Sequence, residues 1–460
     1  YMFNDDTIAA ISSAPGEGGI GIVRISGDNS LNILNKIFKG YKNRGIEDLE
    51  SYTMRYGFIY DGEKKIDEVI VSFMKSPKTY TTEDIVEIYC HGGPIPVRRI
   101  LETVLKTGAR LAEPGEFTKR AFLNGRIDLS QAEAVVDMIR SKTEKSADAA
   151  LNQLQGALAN QLKKIKESLI DIMAHIEATI DFPDEDIDDV LYESLIKDCD
   201  NSIHDIDKLI KTADTGKILR EGLNTVIVGR PNVGKSSLLN ALINENRAIV
   251  TDVPGTTRDV IEEQLNIRGI PVNLIDTAGI RKTNDVVEKI GVEKTKEYFN
   301  KADIIIFMLD SSEEYTEEDE EIFKLIKDKK TIILINKVDL PEKLDRSKID
   351  KYKYGKTIID VSIKDNKGID LLKDEIYNFV YSGEVKYNQE ILVTNIRHKN
   401  LLIKAKDSLI NAKDTIVQKL PLDFVSIDLR EALDSIGEIT GETIQEDIVN
   451  RIFSKFCIGK

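Results

Sequence analysis

Four short motifs in the middle of the chain combine residue types that bind phosphate, metal ions and a nucleobase. The first, GRPNVGKS at residues 229–236, directly follows the apolar run 225–228. A strand that leads into a glycine-rich turn and then a helix aims backbone N–H groups at phosphate oxygens. The Lys235 ammonium can then reach the β- and γ-phosphates, and the Ser236 hydroxyl can hold Mg²⁺. The loop by itself leaves ATP and GTP undecided.

The second and third motifs add a metal site and a choice of base. DTAG at residues 276–279 follows the apolar run 272–275, so that Asp276 can position the metal ion and Gly279 lets its N–H approach the γ-phosphate. NKVD at residues 336–339 follows a further apolar run. Its carboxylate, Asp339, can accept from both N1–H and the exocyclic amine of guanine, which adenine does not offer. Because an unmatched buried acceptor costs about 1–3 kcal/mol, this position selects guanine.

The fourth motif, SIK at residues 362–364, follows the run 358–361 and would support the base with main-chain contacts. It departs from the usual Ser-Ala-Lys at Ile363. Any single match is also compatible with an ordinary glycine turn or a solvated Asn-Lys pair. Four motifs in this order, each after a predicted strand, predict a GTP-binding domain.

Bulk properties limit the remaining classes of function. A chain of 460 residues is too long for one core, and 41% hydrophobic with 31% charged residues is ordinary for a soluble globular protein. No apolar run approaches membrane-spanning length. The cysteines (Cys90, Cys199 and Cys457) are too few and too scattered for a disulfide framework, so we expect a cytoplasmic protein. The net charge of −15 argues against a broad basic face for nucleic acid.

The first half of the chain changes character near residue 120. Residues 1–120 contain short β-branched runs separated by glycine- and proline-rich turns, which predicts an α+β domain. Residues 121–216 are predicted to be helical, because Leu and Ile recur every three or four positions from Leu151 to Ile176, up to Pro183. A second helical stretch contains Cys199, which we interpret as a core residue, and is predicted to end at residues 215–216.

The second half has a similar change at each end of the nucleotide motifs. Residues 217–381 enclose the four motifs and are predicted to form a Ras-like α/β P-loop GTPase domain. Helical periodicity returns in residues 382–460, where Thr443 and Glu446 have the spacing of a capping box for the last helix. Helices on both sides predict a multidomain chain in which the GTPase domain is inserted into an α-helical central domain.

Over nearly its whole length the chain resembles one family, the tRNA modification GTPases called MnmE or TrmE. The matching segments outside the nucleotide motifs are residues 19–27 (GIGIVRISG), 82–87 (TEDIVE), 91–94 (HGGP), 114–118 (PGEFT), 120–126 (RAFLNGR), 128–134 (DLSQAEA), 181–185 (DFPDE) and 456–460 (FCIGK). The resemblance implies a homodimer that works with a flavin-dependent partner protein of the MnmG or GidA type. Together they would install a carboxymethylaminomethyl group at C5 of the tRNA wobble uridine.

The resemblance also assigns nucleotide contacts by position. It implies that Ser236 and Thr257 hold Mg²⁺. The implied GTP-binding residues are Asn232, Val233, Gly234, Lys235, Ser236, Ser237, Thr251, Thr256, Thr257, Asp276, Thr277, Ala278, Gly279, Asn336, Lys337, Asp339, Ser362, Ile363 and Lys364.

A typical small GTPase has a glutamine after its Asp-x-x-Gly motif, but this chain has Ile280, which cannot orient water through its side chain. The family binds K⁺ instead, which here implies Asn232, with Thr251, Val253 and Thr256 of the following loop, as its site. The alternative is an ordinary switch loop that binds no K⁺ and in which Thr257, through Mg²⁺, is the only metal ligand.

Two charged residues after Ile280 have further implied roles. The resemblance makes Glu288 the residue that orients the attacking water, and a carboxylate suits that role as base or orienter. Without the resemblance, Glu288 would be interpreted as a solvated helix charge. Arg281 is either a switch residue or a surface residue.

The N-terminal α+β domain is similar to folate-binding one-carbon domains. The family's 5-formyltetrahydrofolate site corresponds to Arg24, Glu87, Arg126 and Lys460, residue types that suit a pterin ring and a glutamate tail. The two arginines are otherwise surface or interface ion pairs. Cys457 is important for modification in the family, although a lone cysteine is more often a small apolar residue under a helix end.

Two other classes of function stay open at this point. The motif at residues 254–259 (PGTTRD) also occurs in GTP-gated RNA-binding or ribosome-assembly factors. A structural scaffold built on a GTPase dimer, with a vestigial folate pocket, is the third possibility.

Overall fold

The computed structural model describes residues 6–46, 49–181, 189–246, 261–275, 298–352, 355–381 and 391–460. The chain divides into two compact units, residues 1–136 with 434–460, and residues 137–433. This division is coarser than the four predicted ranges (1–120, 121–216, 217–381 and 382–460), whose boundaries therefore stay a prediction. The α+β, α-helical and α/β parts of the predicted multidomain fold are all present.

The N-terminal part of the first unit is an antiparallel sheet with two helices on one face. Its elements are β1 (Ile8–Ile11), β2 (Ile20–Ser26), α1 (Ser30–Ile37), β3 (Phe38–Gly40), β4 (Thr53–Asp61), β5 (Lys64–Met74), β6 (Ile85–His91), α2 (Pro94–Lys106), β7 (Arg110–Leu111), α3 (Glu116–Leu123) and α4 (Leu129–Arg140). Among the described residues the sheet has seven strands in the order β3-β4-β5-β6-β2-β1-β7. All neighbours are antiparallel except β1 and β7.

Side-chain alternation in this sheet separates a core from a polar face. In β2, Val23 and Ile25 are buried in the core that α1 and α2 complete, and Arg24 points to the opposite face. In β6 the buried Ile88 likewise leaves Glu87 on the opposite face. Because Arg24 and Glu87 are cross-strand partners in the β2–β6 register, the sheet brings their side chains together.

The second unit begins with helices and continues into an α/β sheet. The helices are α5 (Glu144–Leu154), α6 (Ala157–Asp181), α7 (Asp189–Lys211) and α8 (Ala213–Glu221). The α/β part comprises β8 (Leu223–Val228), α9 (Lys235–Asn246), β9 (Ile261–Ile267), β10 (Ile270–Ile275), β11 (Ile304–Asp310), α10 (Glu317–Leu325), β12 (Thr331–Asn336), α11 (Ser347–Asp350), β13 (Thr357–Asp360) and α12 (Ile369–Tyr381).

The strand order of the α/β sheet is β13-β12-β11-β8-β10-β9 within the described ranges. All neighbours are parallel except β9 and β10, which form an antiparallel hairpin. The fully buried β11 and β12 are continuous apolar runs, as expected for strands covered on both faces. The carboxyl ends of the parallel strands therefore lie at one edge, where ligands bind in such sheets.

The chain ends with α13 (Ile396–Val417), α14 (Leu422–Thr440) and α15 (Glu446–Phe453). Helix α13 packs on α7 through a buried row that includes Leu402, Leu409 and Ile416. On its flank, Lys406 and Lys413 pair with Asp207 and Asp200 of α7 at 2.7 and 2.6 Å. A buried apolar seam with paired charges beside it is what holds these two long helices together.

Three local predictions about the helices are wrong. The stripe from Leu151 to Ile176 is not one helix, because Gly156 at φ +87° separates α5 from α6. The second helical stretch does not end at residues 215–216, since Gly216 lies inside α8. A Cβ at Gly216 would lie 2.3 Å from the Val393 carbonyl oxygen, so this glycine permits a close approach rather than ending a helix. The core assignment of Cys199 is confirmed.

The predicted capping box at Thr443 is the third error. Helix α15 begins at Glu446 with Gln445 as its N-cap and without a side-chain capping bond. The Thr443 hydroxyl donates instead to the Asp434 carbonyl oxygen at 2.8 Å.

None of the helices in the described ranges combines the length and the apolar character that a membrane span requires.

Candidate functional site

The phosphate loop joins β8, in the middle of the α/β sheet, to the first turn of α9. It includes two glycines with positive φ, Gly229 at +149° and Gly234 at +108°. A Cβ on Gly229 would lie 2.4 Å from the Met308 carbonyl oxygen, and one on Gly234 would lie 2.3 Å from Nδ2 of Asn336. The loop therefore needs glycine at both positions, and the sequence motif has a steric cause.

Lys235 is the first residue of α9, and its ammonium turns back over the loop. Its Nζ donates to the carbonyl oxygens of Gly229 and Arg230, both at 2.7 Å. Burial lowers the pKa of Lys235 to about 8, because desolvation disfavours the charged form. Val233 is buried, Ser236 is half-buried, and Asn232 and Ser237 are exposed. An ammonium held by carbonyl oxygens at the head of a helix is suited to bind phosphate.

Asn336, at the end of β12, joins two of the predicted motifs. Its Nδ2 donates to the Val233 carbonyl oxygen at 2.8 Å, and its Oδ1 accepts from the Ile363 N–H at 3.3 Å. The side chain is 3% exposed. The phosphate loop, the NKVD motif and the SIK motif are thus held against one another, as a nucleotide site requires.

The residues that would contact the base adjoin Asn336. Asp339 is exposed, and its Oδ1 accepts from the Ser362 hydroxyl at 2.8 Å. Lys337, at φ +61°, forms an ion pair of 2.5 Å with the buried Asp310. Burial by itself would raise the pKa of Asp310, but the hydrogen bonds from Lys337 and Ser312 outweigh it and hold that pKa below its ordinary value. Lys364 lies in the same loop as Ser362.

Sequence reasoning missed Asp310 and the anchor of the phosphate loop. Asp310 ends β11 as a charged residue directly after a buried apolar run, which was the available signal. Arg230, inside the loop, donates from Nε to Asp319 at 2.9 Å, and Asp319 is fully buried in the first turn of α10. Because Asp319 also completes the capping box of that helix with Thr316, the loop is tied to a fixed helix end.

Ten predicted site residues lie outside the described residues. They are Thr251, Val253, Thr256, Thr257, Asp276, Thr277, Ala278, Gly279, Arg281 and Glu288. Their assignments stay predictions.

A second cluster of predicted site residues lies on the polar face of the N-terminal sheet. Arg24 donates from Nε to Glu87 Oε1 at 2.8 Å, and the Tyr89 hydroxyl donates to the other oxygen of Glu87. Desolvation, followed by that hydrogen bond, raises the pKa of Tyr89. The guanidinium carbons of Arg24 and Arg126 lie 5.8 and 4.9 Å from the centroid of the Tyr80 ring. Tyr80 and Tyr89 were not predicted, since lone tyrosines carry no motif.

The C-terminal residues complete this second cluster within the same unit. The Gly459 carbonyl oxygen accepts from the Ser12 hydroxyl at 3.1 Å and lies 3.5 Å from Nη1 of Arg24. The Gly115 N–H donates to the Cys457 carbonyl oxygen at 3.2 Å, and the Cys457 side chain is exposed. Burial, and then the nearby Arg24, lower the pKa of Lys460. The predicted residues Arg24, Glu87, Arg126 and Lys460 are therefore gathered around Tyr80 and the chain end.

The α/β sheet, the phosphate loop and the convergent NKVD and SIK motifs define a P-loop GTPase. A family model described as the MnmE helical domain matches residues 129–457, and one described as the GTP-binding protein TrmE N-terminus matches residues 7–126. The tRNA modification GTPase MnmE of Alkaliphilus metalliredigens is 57% identical over 461 residues, 100% of both chains. That of Clostridioides difficile is 54% identical over 459 residues, again 100% of both chains. The chain belongs to the MnmE family of tRNA modification GTPases.

Among solved structures, the G domain of the T. maritima FeoB iron transporter is 28% identical, with a TM-score of 0.25. It covers 34% of this chain and 98% of its own. So low a score does not define the fold, which rests on the observed strand order instead.

Proposed function

We propose that the chain is a K⁺-dependent GTPase that drives modification of the tRNA wobble uridine. It acts as a cytoplasmic homodimer with a flavin-dependent partner of the MnmG type, and the pair installs a carboxymethylaminomethyl group at C5. GTP hydrolysis in residues 217–381 moves a helical domain formed by residues 121–216 and 382–460. Residues 1–120 form the dimer interface and, together with Arg126 and Lys460, hold a one-carbon folate. Sequence identities of 57% and 54% over the full length of two MnmE relatives support this proposal.

The observation that carries the K⁺ dependence is the conformation of Asn232. This residue lies in the phosphate loop with φ +63°, and its side chain is exposed. Asparagine is one of the few residues that adopt this left-handed conformation readily, and its amide oxygen is a suitable ligand for a hard cation. Thr251, Val253 and Thr256 would supply the other oxygens. A bound K⁺ would supply positive charge beside the phosphates, the role of an arginine finger elsewhere.

The remaining nucleotide chemistry falls to the predicted residues of the loop and the segments after it. Ser236 and Thr257 offer hydroxyl oxygens of the kind that Mg²⁺ prefers, and Asp276 would hold the metal through water. Lys235, already held above the loop, would stabilise charge on the β- and γ-phosphates. Glu288 would orient the attacking water, the task that Ile280 cannot perform, with Arg281 as a further switch residue.

The second cluster supports a folate site. Glu87 presents a carboxylate that can accept from the amide and amine edge of a pterin, and Arg24, Arg126 and Lys460 offer cations for a carboxylate tail. The Tyr80 ring beside both guanidinium groups adds an aromatic surface. A folate bound there would supply the one-carbon unit. Cys457, exposed on the adjoining chain end, is a candidate reactive group for the same modification.

The K⁺ proposal is tested by initial rates of GTP hydrolysis in matched KCl and NaCl buffers. Asn232→Gly removes the amide oxygen without strain at φ +63°, whereas Asn232→Ala also introduces a left-handed alanine, so the pair separates ligand loss from backbone cost. We expect a rate that is specific to K⁺ and lost in both variants. Equal rates in the two salts would remove the cation mechanism and favour a conventional switch, for which binding to bare ribosomal subunits is the next measurement.

The folate proposal is tested by calorimetry with 5-formyltetrahydrofolate. We expect binding in the unaltered chain and its loss in Glu87→Gln. Glu102→Gln, on the exposed surface of α2, makes the same chemical change away from the cluster and serves as the control. No heat of binding in the unaltered chain would favour the structural scaffold.

A further inference from the structure

The β9–β10 hairpin connects the two chain segments predicted to sense the γ-phosphate. β9 follows residues 251–257 in the sequence, and β10 leads directly into Asp276. The two strands are antiparallel partners and meet at Arg268 and Gly269. Because the hairpin is their covalent link, a displacement of either segment between GTP and GDP would act directly on one of its strands.

The turn of this hairpin packs against the side chain of Lys145 in helix α5. Gly269 has φ +85°, and a Cβ there would come within 2.7–2.8 Å of Cγ, Cδ and Cε of Lys145 in α5. Three residues earlier, Lys142 donates to Oε1 of Gln264 in β9, and Nε2 of Gln264 donates to Asn273 Oδ1 in β10 at 2.7 Å. The segment that begins α5 therefore touches the turn and, through Gln264, both strands.

The ammonium of Lys145 reaches a third element. It lies 4.3 Å from the ring centroid of Tyr377 and 4.9 Å from that of Tyr381, both in α12. Burial lowers the pKa of Lys145. At the same helix end, the Ser146 hydroxyl donates to the Leu219 carbonyl oxygen of α8 at 2.6 Å. The first turn of α5 is thus fixed to the hairpin, to α12 and to α8 within one packed cluster.

We propose that Lys145 is a positioning residue that couples the nucleotide state of the GTPase site to helix α5. Its methylene stem packs against the hairpin turn while its ammonium is held by the two tyrosines, so the hairpin cannot shift without moving α5 or breaking this contact. Packed contacts of this kind have discrete arrangements rather than continuous ones. This inference rests on the proposed GTP cycle and names the route by which that cycle reaches the helices.

Coupling of this kind is reciprocal, which makes it measurable at the nucleotide site. If the nucleotide state biases α5, then α5 biases the relative affinity for GTP and GDP by the same factor. Lys145→Met keeps most of the stem over Gly269 and removes the cation, whereas Lys145→Arg keeps a cation for the tyrosine rings. Lys163→Met on the exposed surface of α6 removes one charge from the same unit and is the matched control.

The experiment uses the full chain, loaded with GDP or with a non-hydrolysable GTP analogue. Hydrogen exchange of residues 144–154 and the two dissociation constants are measured. We expect α5 exchange to differ between the two states in the unaltered chain. Lys145→Met should remove that difference and change the ratio of the dissociation constants by about fivefold or more. Lys145→Arg should retain the difference, and Lys163→Met should leave both readouts unchanged.

Two results would overturn the inference while leaving the proposed function intact. One is α5 exchange that is identical in the two loaded states of the unaltered chain. The other is an unchanged ratio of the GTP and GDP affinities in Lys145→Met. A purely structural role of Lys145 would give this result, because both affinities and the melting temperature would then fall while the ratio stayed the same. Failure of the unaltered chain to bind either nucleotide would instead contradict the proposed function.

Discussion

The side-chain amide of Asn336 donates a 2.8 Å hydrogen bond to the main-chain carbonyl oxygen of Val233. Asn336 lies at the end of the buried strand β12 and Val233 in the phosphate loop, 103 positions apart in the sequence. Both are buried, so the bond is shielded from water, and its loss would leave a polar atom without a partner. This contact places the base-recognition motif at a fixed distance from the phosphate loop.

Asn336→Ala should therefore weaken binding of the whole nucleotide rather than of the base alone. Binding then has to order a phosphate loop whose Val233 oxygen lacks its partner, at a cost of about 1–3 kcal/mol, so the dissociation constant for GTP should rise by about 5- to 150-fold. Equilibrium titration with GTP, GDP and guanosine measures the effect. Asn300→Ala, which removes an exposed hydrogen bond from Lys329, is the control and should bind normally. Unchanged affinity for GTP in Asn336→Ala would show that the two loops are held by other contacts.

Asp339→Asn should change the preferred base from guanine to xanthine. A carboxylate accepts from both N–H donors on the guanine edge, whereas a carboxamide offers one acceptor and one donor, which matches the N1–H and C2 carbonyl of xanthine. With about 1–3 kcal/mol for the unmatched group, GTP binding should fall by about tenfold or more and xanthosine triphosphate binding should rise. Competition between the two nucleotides measures the switch. Asp350→Asn on α11 is the control, and a variant that still prefers GTP would contradict the role of Asp339.

The nucleotide site was predictable from sequence because its backbone requires particular residue types at fixed spacing within each short motif. Gly229 and Gly234 both have positive φ, a conformation that favours glycine, and the phosphate loop and the NKVD motif lie at the ends of the largely buried strands β8 and β12. Arg230 and Asp310 were missed because their roles depend on ion pairs with Asp319 and Lys337. Ion pairs of that kind leave no periodicity or spacing to detect.

His91, the first residue of the segment 91–94 (HGGP), should have a pKa above its ordinary value. Its Nδ1 lies 2.8 Å from Asp67 Oδ1, and its backbone N–H donates to Asp67 Oδ2 at 3.0 Å. The hydrogen bond and charge of Asp67 raise the pKa of His91 above 6.5. Because the folded-state pKa is the raised one, the pair stabilises the fold fully below about pH 6.5, and that contribution is lost as pH rises through the raised value.

Histidine NMR across this pH range measures the His91 pKa directly, with His91→Gln to assign the signal. Asp67→Asn should return the pKa of His91 toward its ordinary value, since it removes the charge but keeps a hydrogen-bonding group. A titration that is the same with and without Asp67 would show that the pair does not persist in solution.

The helical predictions were less accurate for a physical reason that Gly216 illustrates. Glycine within a helical pattern usually signals an end, because it lowers helix propensity. Here it marks the place where α8 contacts the backbone at Val393, a contact between residues far apart in sequence. Thr443 is similar, since its hydroxyl bonds to Asp434 rather than capping the following helix. Tertiary contacts decided both cases, and one sequence does not reveal them.

Gly216→Ala should destabilise the protein, opposite to the effect of this change in an ordinary helix. Alanine normally gains about 1 kcal/mol over glycine in a helix interior. At this position the added Cβ would lie 2.3 Å from a backbone oxygen, and overpacking of that kind costs about 1–3 kcal/mol. Thermal unfolding measures the sign. Gly18→Ala, where nothing lies within 4 Å of the added Cβ, is the control and should change stability little. A higher melting temperature for Gly216→Ala would mean that α8 and Val393 separate readily.

Gly459→Ala should abolish folate binding at the second cluster without affecting the nucleotide site. Gly459 has φ +93°, and an added Cβ would lie 2.1 Å from the Ile11 carbonyl oxygen, so the chain end must leave its position. That displacement removes the Gly459 carbonyl oxygen from Ser12 and carries Lys460 away from the Arg24–Glu87 pair. We therefore expect loss of 5-formyltetrahydrofolate binding by calorimetry, with GTP hydrolysis unchanged because the nucleotide residues lie in the other compact unit.

The control for this change is Gly62→Ala in the β4–β5 turn. Gly62 also has a positive φ, +63°, but nothing lies within 4 Å of its added Cβ, so it carries the left-handed backbone cost without the clash. Folate binding should survive in Gly62→Ala. If Gly459→Ala binds folate as tightly as the unaltered chain, the C-terminal residues are not part of the site, and Arg24, Glu87 and Arg126 must hold the ligand without Lys460. If GTP hydrolysis falls with folate binding, the two units are coupled in a way that neither site explains alone.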